Sequence, residues 1–310
     1  MTALRVRASA KVNLHLGVGR VREDGFHPLH TVYQAISLHD DLVARPADDW
    51  SLASRAASYV DASALPAVED DLVTRAARLL AAEHGVPVRA AVELDKAIPV
   101  AGGLAGGSAD AAAALVLLDA LWELGTPRTR LLELAADLGS DVPFALVGGT
   151  ALGTGRGEVV EPVPDPGQWR WVVVPSREGL STPAVYRHFD EMFPDASSTP
   201  PAPDALLGAL AGRDPRRLAA TLHNGLQEPA FDLRPDLRDL VARGEAEGAL
   251  RGLVSGSGPT CVFLCEDEAH QEAVAAALRG AGHESVLTAV GPAYGATILA
   301  TDDPEPVEAI

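Results

Sequence analysis

The stretch Ile98-Pro-Val-Ala-Gly-Gly-Leu-Ala-Gly-Gly-Ser-Ala-Asp110, followed by Ala111–Leu118, decides how this chain is read. Four glycines, Gly102, Gly103, Gly106 and Gly107, fall within six residues and run directly into Ser108 and a series of helix formers. Glycine accepts φ > 0 and lets the backbone approach a ligand with no Cβ in the way. A serine ahead of a helical run predicts an N-cap, hence a helix over Ser108–Leu124 that Gly125 ends. Backbone N–H groups that feed a helix N-terminus make a phosphate site. The plain alternative is a glycine turn that only caps a helix. Two common phosphate loops are excluded. Gly107 is followed by Ser108 and Ala109, with no lysine for a Walker A loop, and Gly-x-Gly-x-x-Gly does not fall in frame.

Upstream of this loop, Val88–Leu94 reads as a strand. Before it, Asp70 is expected to cap a helix carrying Leu72, Val73, Ala76, Leu79 and Leu80 at helical spacing, ended by Gly85. Residues 46–68 are rich in Ala, Asp and Ser and weakly patterned. Thr31–Ser37 and Asp41–Arg45 read as two strands. At the start, Leu4–Ala10 alternates apolar and polar residues. Lys11–Gly17 continues the alternation, with Lys11, Asn13 and His15 on one face and Val12, Leu14 and Leu16 on the other. That polar face is either a solvated edge or a ligand site. Between these strands, Asp24-Gly25 predicts a tight turn that leaves Phe26 and His27 side by side on a loop.

Downstream, Thr129–Leu138 reads as a helix that Gly139 ends, followed by Ser140-Asp141-Val142-Pro143-Phe144. An aspartate between a helix end and a strand start is a place for a catalytic carboxylate and equally for a turn residue. Phe144–Val160 carries Gly148-Gly149 and Gly153-Thr-Gly-Arg-Gly157, which suggests a hairpin. Pro162–Gly167 looks like a domain boundary, which divides the chain into 1–163 and 164–310. Beyond it come a strand over Trp169–Val174, a helix over Thr182–Phe189, a loop over 194–204 and helical patterns over 204–222 and 235–247. Leu250–Val254, the loop Ser255-Gly-Ser-Gly-Pro259, Thr260–Leu264, Glu268–Ala281 and Ser285–Ala289 then form a β-loop-β-α-β series, half of a ferredoxin-like domain. The tail from Asp302 is acidic and is expected to fray.

Composition excludes several classes. The 310 residues carry a formal charge of −18, so a broad nucleic-acid surface is not expected and an anionic substrate needs a local basic patch. Two cysteines, Cys261 and Cys265, suit neither a disulfide framework nor a zinc site and read as buried thiols in a reducing compartment. The start has no apolar signal core, and no run of eighteen apolar residues occurs, so a cytoplasmic protein with no membrane partner is expected.

Three stretches now stand in order: Lys11-Val-Asn-Leu, Pro99-x-x-Gly-Gly-Leu-x-Gly-Gly-Ser-Ala and Ser255-Gly-Ser-Gly-Pro-Thr. Together they resemble the GHMP kinase superfamily, the small-molecule kinases of galactose, homoserine, mevalonate and phosphomevalonate. Ala8-Ser-Ala-Lys-Val-Asn-Leu-His-Leu, Arg22-Glu-Asp-Gly-Phe-His and Gly139-Ser-Asp-Val-Pro-Phe look like the branch that acts on a cytidine-diphosphate-linked methylerythritol in the non-mevalonate isoprenoid route. The likeness runs over nearly the whole chain and is weakest at 46–68 and 190–225.

The resemblance implies an α+β fold. An N-terminal domain like ribosomal protein S5 domain 2 binds ATP, and a ferredoxin-like C-terminal domain stands on the substrate side. It implies transfer of a phosphoryl group from ATP, with Mg²⁺, to the 2-hydroxyl of the methylerythritol unit. By the resemblance Lys11 and Asp141 are catalytic. Asp141 takes or orients the hydroxyl proton, and Lys11 supports charge on the transferring group. Pro99, Val100, Ala101, Gly102, Gly103, Leu104, Ala105, Gly106, Gly107, Ser108 and Ala109 wrap the ATP phosphates, with Ser108 also offered to Mg²⁺. Phe26, at a position usually tyrosine, stacks on cytosine. His27 bonds the base edge, Tyr186 is the second aromatic, and Asn13 contacts substrate beside Asp141. Ser255, Gly256, Ser257 and Gly258 border the phosphates or the methylerythritol unit. Ala105 stands where many relatives have glycine, and is expected to be tolerated only with φ negative.

A homoserine- or mevalonate-type kinase is the nearest alternative, and a catalytically silent nucleotide-binding module is the second. Gly25-Phe26-His27 argues against the former, whose substrates have no base to stack. The presence of both Lys11 and Asp141 argues against the latter. The oligomeric state is expected to be a monomer or a weak homodimer.

Overall fold

The computed structural model describes residues 3–176 and 178–299. The acidic tail from Asp302 lies outside the described residues. The first half builds one large sheet. β1 (Leu4–Val18) and β2 (Leu29–Arg45) form a long antiparallel pair, β4 (Ala90–Lys96) continues it beyond β2, and β3 (Trp50–Ala56) lies parallel to β4 at the edge. α1 (Leu72–His84), α2 (Gly106–Leu121), α3 (Arg128–Leu138) and the short α4 (Val142–Val147) pack with this sheet. β5 (Thr150–Thr154) and β6 (Val159–Pro162) form a hairpin on the far part of β2.

α2 is the centre of the core. Ala109, Ala111, Ala112, Ala113, Ala114, Leu115, Leu117 and Leu118 are all buried. A helix apolar on every side belongs in an interior, and α2 touches β1, β2, α1, α3 and α4. Its one buried charge is handled locally. Lys96 Nζ lies 2.5 Å from Asp40 and 2.6 Å from Asp110, and Asp40 Oδ1 also accepts the N–H groups of Ala97 and Ile98. Burial pushes the Asp110 carboxyl well above the usual range, against the pull of Lys96. Removing one member of such a buried set costs about 3–5 kcal/mol, because it strands a charge.

The second half carries a four-stranded antiparallel sheet. It comprises β7 (Trp169–Val174), β9 (Arg251–Val254), β10 (Cys261–Cys265) and β11 (Leu287–Gly291), in the spatial order β11-β7-β10-β9. Numbered among themselves these strands run 4-1-3-2, the ferredoxin-like arrangement. α5 (Thr182–Met192), α6 (Asp204–Ala211), α7 (Pro215–Ala219), α8 (Gln227–Leu233), α9 (Pro235–Ala246) and α10 (Glu268–Gly280) complete it. Cys261 and Cys265 are buried free thiols whose burial pushes both up to about 12. Two strands return to the first sheet: β8 (His223–Asn224) pairs parallel with β1, and β12 (Thr297–Leu299) pairs antiparallel with it.

Several local expectations are corrected. The two strands read at 31–37 and 41–45 are one, because the register slips between Ser9 and Ala10 and a bulge absorbs Ser37 and Leu38 without breaking β2. The weakly patterned region 46–68 contains β3. Asp71, not Asp70, caps α1 by accepting from Val73 N–H. Ser108 is not an N-cap: α2 starts at Gly106, and its cap is Ala105. After Asp141 comes α4 rather than a strand, with Pro143 in its first turn, where a missing N–H does no harm. The helical pattern over 204–222 breaks at Arg213 (φ 54°), and Asp214 caps the second piece. α8 had no separate signal in the sequence.

Candidate active site

Two glycine loops meet over the middle of β1, where Lys11 N–H donates to the Leu104 carbonyl. Gly102 and Gly103 lie against the loop between β9 and β10, with Thr260 N–H donating to the Gly102 carbonyl and Ser255 Oγ donating to the Gly103 carbonyl. A Cβ on Gly103, whose φ is +78°, would fall 2.1 Å from the Ser255 carbonyl oxygen. Only glycine permits that approach. The Asn224 amide steadies the second loop by donating to the carbonyls of Val254 and Gly256 at 2.8 and 2.7 Å.

Lys11 reaches this junction from β1. Its ammonium donates to Asn13 Oδ1 at 2.8 Å and to the Gly103 carbonyl at 2.9 Å, and it lies 3.6 Å from Asp141 Oδ2. The orientation of the Asn13 amide follows from the network. Thr31 Oγ1 donates to the His15 carbonyl and accepts from Asn13 Nδ2, so Asn13 Oδ1 is turned to Lys11. On the other side of Asp141, Tyr33 donates its hydroxyl to Oδ1 at 3.0 Å. Burial, and then the Asp141 charge, raise the Tyr33 phenol well above its ordinary range, so it stays a donor.

Lys11, Asn13, Tyr33 and Asp141 line one cleft of about 990 Å³, together with Phe26, His27, Tyr186, Gly256 and Ser257. Of the first glycine loop, Ala101, Gly102, Gly103, Ala105, Gly106, Gly107 and Ser108 line it. Pro99 and Val100 do not, and Leu104 and Ala109 are buried in the core. Ser255 and Gly258 stand behind the lining, Ser255 fully buried. His15 shares the predicted polar face of Lys11 and Asn13 but not the cleft. The strand register shifts between Asn13 and His15, and His15 donates instead to the Pro201 carbonyl.

Ala105 overturns its expectation. Its φ is +58°, and Ala101 has φ +52°. A single non-glycine residue in this region costs about 1–2 kcal/mol, which the packing around the loop sustains. As the N-cap of α2, Ala105 has no side chain to bond the first N–H groups of the helix. Those donors therefore face the cleft at the positive end of the helix, as an anion site requires.

At the other end of the cleft, Phe26 is 48% exposed, and the Arg156 guanidinium lies 4.8 Å from its ring centre. His27 packs on Tyr186, with centroids 4.8 Å apart, and meets Phe189 edge-on. It donates from Nε2 to Asp190 Oδ1 at 2.9 Å. Among the described residues no group of three or more His, Cys, Asp and Glu side chains gathers to hold a metal. A Mg²⁺ ion carried mainly by phosphate oxygens and water needs only one or two protein oxygens. The Ser108 hydroxyl and the Asp141 carboxylate line the cleft and fit that demand.

Sequence reading missed Thr31, Tyr33, Asn224, Arg156 and Asp190. Tyr33 sits on β2 and Asn224 on a two-residue strand, and neither position carries a local pattern. Asp190 was findable, because it lies four residues after Tyr186 and hence on the same helix face.

Family models for the GHMP kinases N terminal domain and the GHMP kinases C terminal match residues 71–149 and 206–284. The chain belongs to the GHMP kinase family. It is 64% identical over 294 residues to a 4-diphosphocytidyl-2-C-methyl-D-erythritol kinase of Nocardioides sp. (strain ATCC BAA-499 / JS614), covering 95% of this chain and 99% of the relative. A kinase of the same name from Thermobifida fusca (strain YX) is 51% identical over 305 residues, covering 96% and 99%. A crystal structure of 4-(cytidine 5'-diphospho)-2C-methyl-D-erythritol kinase superposes with a TM-score of 0.75 at 36% identity, covering 92% of this chain and 98% of that one. The GHMP kinase fold, α+β in two parts, is therefore the fold of this chain.

Proposed function

We propose that this chain is an ATP-dependent kinase that phosphorylates the 2-hydroxyl of 4-diphosphocytidyl-2-C-methyl-D-erythritol, a step of non-mevalonate isoprenoid precursor biosynthesis. The observation that carries the reading is one cleft that joins a Lys11–Asp141 pair and two abutting glycine loops to an aromatic end at Phe26 and Tyr186. An alcohol with no base attached would leave that aromatic end unused.

The first turn of α2 and the glycine loop hold the nucleotide phosphates, with Ser108 at their edge. The substrate hydroxyl oxygen attacks the γ-phosphorus, the bond from that phosphorus to the β–γ bridging oxygen breaks, ADP leaves, and the hydroxyl proton passes to Asp141. Lys11 places positive charge beside the transferring group, and Asn13 and the Gly103 carbonyl fix its direction. Tyr33 holds Asp141 Oδ1, which leaves Oδ2 on the Lys11 side. Ser108, with the phosphate oxygens, would hold Mg²⁺, which would supply charge neutralisation when bound.

The division at residues 163 and 164 leaves the ATP loop and the catalytic pair in the first part and gives Tyr186 and the second glycine loop to the substrate-side part, with Phe26 and His27 reaching the substrate from the first part. The cleft is complete in one chain, in keeping with a monomer or a weak homodimer. Among the described residues no helix is long and apolar enough to cross a membrane. This and the two unpaired thiols accord with a cytoplasmic enzyme. A coupled ADP-release assay with the cytidine-linked alcohol, homoserine and mevalonate tests the function. Turnover with the cytidine-linked alcohol alone is expected, and release driven only by homoserine or mevalonate overturns the reading.

A further inference from the structure

His27 is gripped by one turn of a single helix. Tyr186 lies against one side of its ring, Phe189 meets it edge-on, and Asp190 takes the hydrogen on Nε2. The ring is almost fully buried, with its side chain 7% exposed, yet it lines the cleft beside Phe26. Its direction is therefore set by the helix and not by solvent.

The carboxylate of Asp190 has only lone pairs to offer. A bond to it requires the imidazole hydrogen on Nε2. In the neutral ring the other nitrogen, Nδ1, then carries a lone pair and no hydrogen. Among the described residues Nδ1 has no hydrogen-bond partner, and it is not one of the fully enclosed unpartnered atoms. It is an acceptor looking for a donor at the aromatic end of the cleft.

We propose that Asp190 is a positioning residue that sets base preference: by fixing the hydrogen of His27 on Nε2, it leaves Nδ1 to accept from the exocyclic amine of a cytosine ring. Uracil presents a carbonyl oxygen at that position, so two acceptors would face each other. A site built around a hydrogen bond rejects the analogue that cannot make it far more strongly than an apolar pocket rejects a change of shape. The inference rests on the proposed cytidine-linked substrate and adds the group that selects the base.

Asp190→Asn gives a sharp test, because an amide can donate as well as accept. The side-chain amide of that variant, donating its N–H to His27 Nε2, moves the ring hydrogen to Nδ1 and turns the acceptor into a donor. Steady-state rates are measured at pH 8 with the cytidine- and uridine-diphosphate-linked alcohols. The wild-type chain is expected to prefer the cytidine form about 100-fold or more in kcat/KM. In Asp190→Asn that preference falls about tenfold or more while KM for ATP stays unchanged, and Asp190→Glu restores part of it.

Imidazole ¹⁵N shifts give an independent reading, with His27 in the Nε2–H form in the wild type and shifted toward Nδ1–H in Asp190→Asn. An unchanged preference in Asp190→Asn, an equal loss with both alcohols, or an Nδ1–H ring in the wild type overturns the role of Asp190 while leaving the kinase reading in place. If the wild-type chain turns over neither alcohol, both fall.

Discussion

At one end of the cleft, Lys11 lies 2.8 Å from Asn13 and 3.6 Å from Asp141, and it is nearly closed off from solvent. At the other end, Phe26 stands 48% exposed, backed by the Arg156 guanidinium, and Tyr186 faces the same space from a helix of the second half. The first end is a fixed network of charges and hydrogen bonds, with every partner oriented by another. The second is an open pair of flat faces. Fixed polar groups act on charge that develops during reaction, whereas flat faces bind a ring equally before and during it. The two ends should therefore fail differently when cut: the first in kcat, the second in KM.

Asp141→Asn is the strongest test of that division. It keeps the shape and removes the proton acceptor. A fall in kcat of about 10³-fold or more is expected, while ATP still raises the melting temperature. Near-normal turnover would remove Asp141 from the chemistry. Lys11→Met should follow, with kcat lower by about 10²–10³-fold, the range for losing one preorganised donor to developing charge. A change confined to KM for the alcohol would move Lys11 to the binding end and dissolve the contrast.

The fold was legible where the chain repeats a local pattern. α1, α3 and α10 follow from their apolar spacing, and the order of the three motifs around Lys11, Gly102–Gly107 and Ser255–Gly258 marked the family. Lys11 came from the first of those motifs and Asp141 from the separate stretch Gly139-Ser-Asp-Val-Pro-Phe, and the structure brings the two side chains together. What stayed hidden depends on register or on distant partners. Alternation alone put His15 beside Asn13, and only the bulge in β1 shows it turned away. Tyr33 is an ordinary strand tyrosine until Asp141, more than a hundred residues on, lies against its hydroxyl. Ala105 was misjudged because sequence shows the side chain and not the φ that the loop imposes on it.

At the open end, Phe26→Ala removes one flat face. KM for the cytidine-linked alcohol is expected to rise about two- to tenfold with kcat unchanged, since stacking of this kind contributes about 0.5–1.5 kcal/mol. Isothermal titration with CDP should show the same loss without ATP present. A defect in kcat alone would mean that Phe26 reaches the reacting centre and that the two ends are one.

The smallest effect tests the boundary of the catalytic end. His15 continues the polar face of Lys11 and Asn13, yet it lies outside the cleft, donating to the Pro201 carbonyl at 3.1 Å with the His223 ring 5.2 Å away. Burial, then the pull of that carbonyl in the other direction and the neighbouring His223, leave its pKa lowered to about 4. An unfolded His15 takes up a proton near pH 6.5, so between about 6.5 and 4 the unfolded chain binds more protons than the folded one. The stability this residue contributes is present above pH 6.5 and is lost as pH falls toward 4. His223, also lowered by burial, pulls in the same direction. His15→Asn should flatten the fall of Tm between pH 7 and pH 4.5 by a few degrees, about the shift that 1–2 kcal/mol produces in a chain of this size. It should leave kcat unchanged at pH 8. A loss of kcat at pH 8 with an unchanged acid profile would place His15 in the chemistry and extend the catalytic end past the bulge.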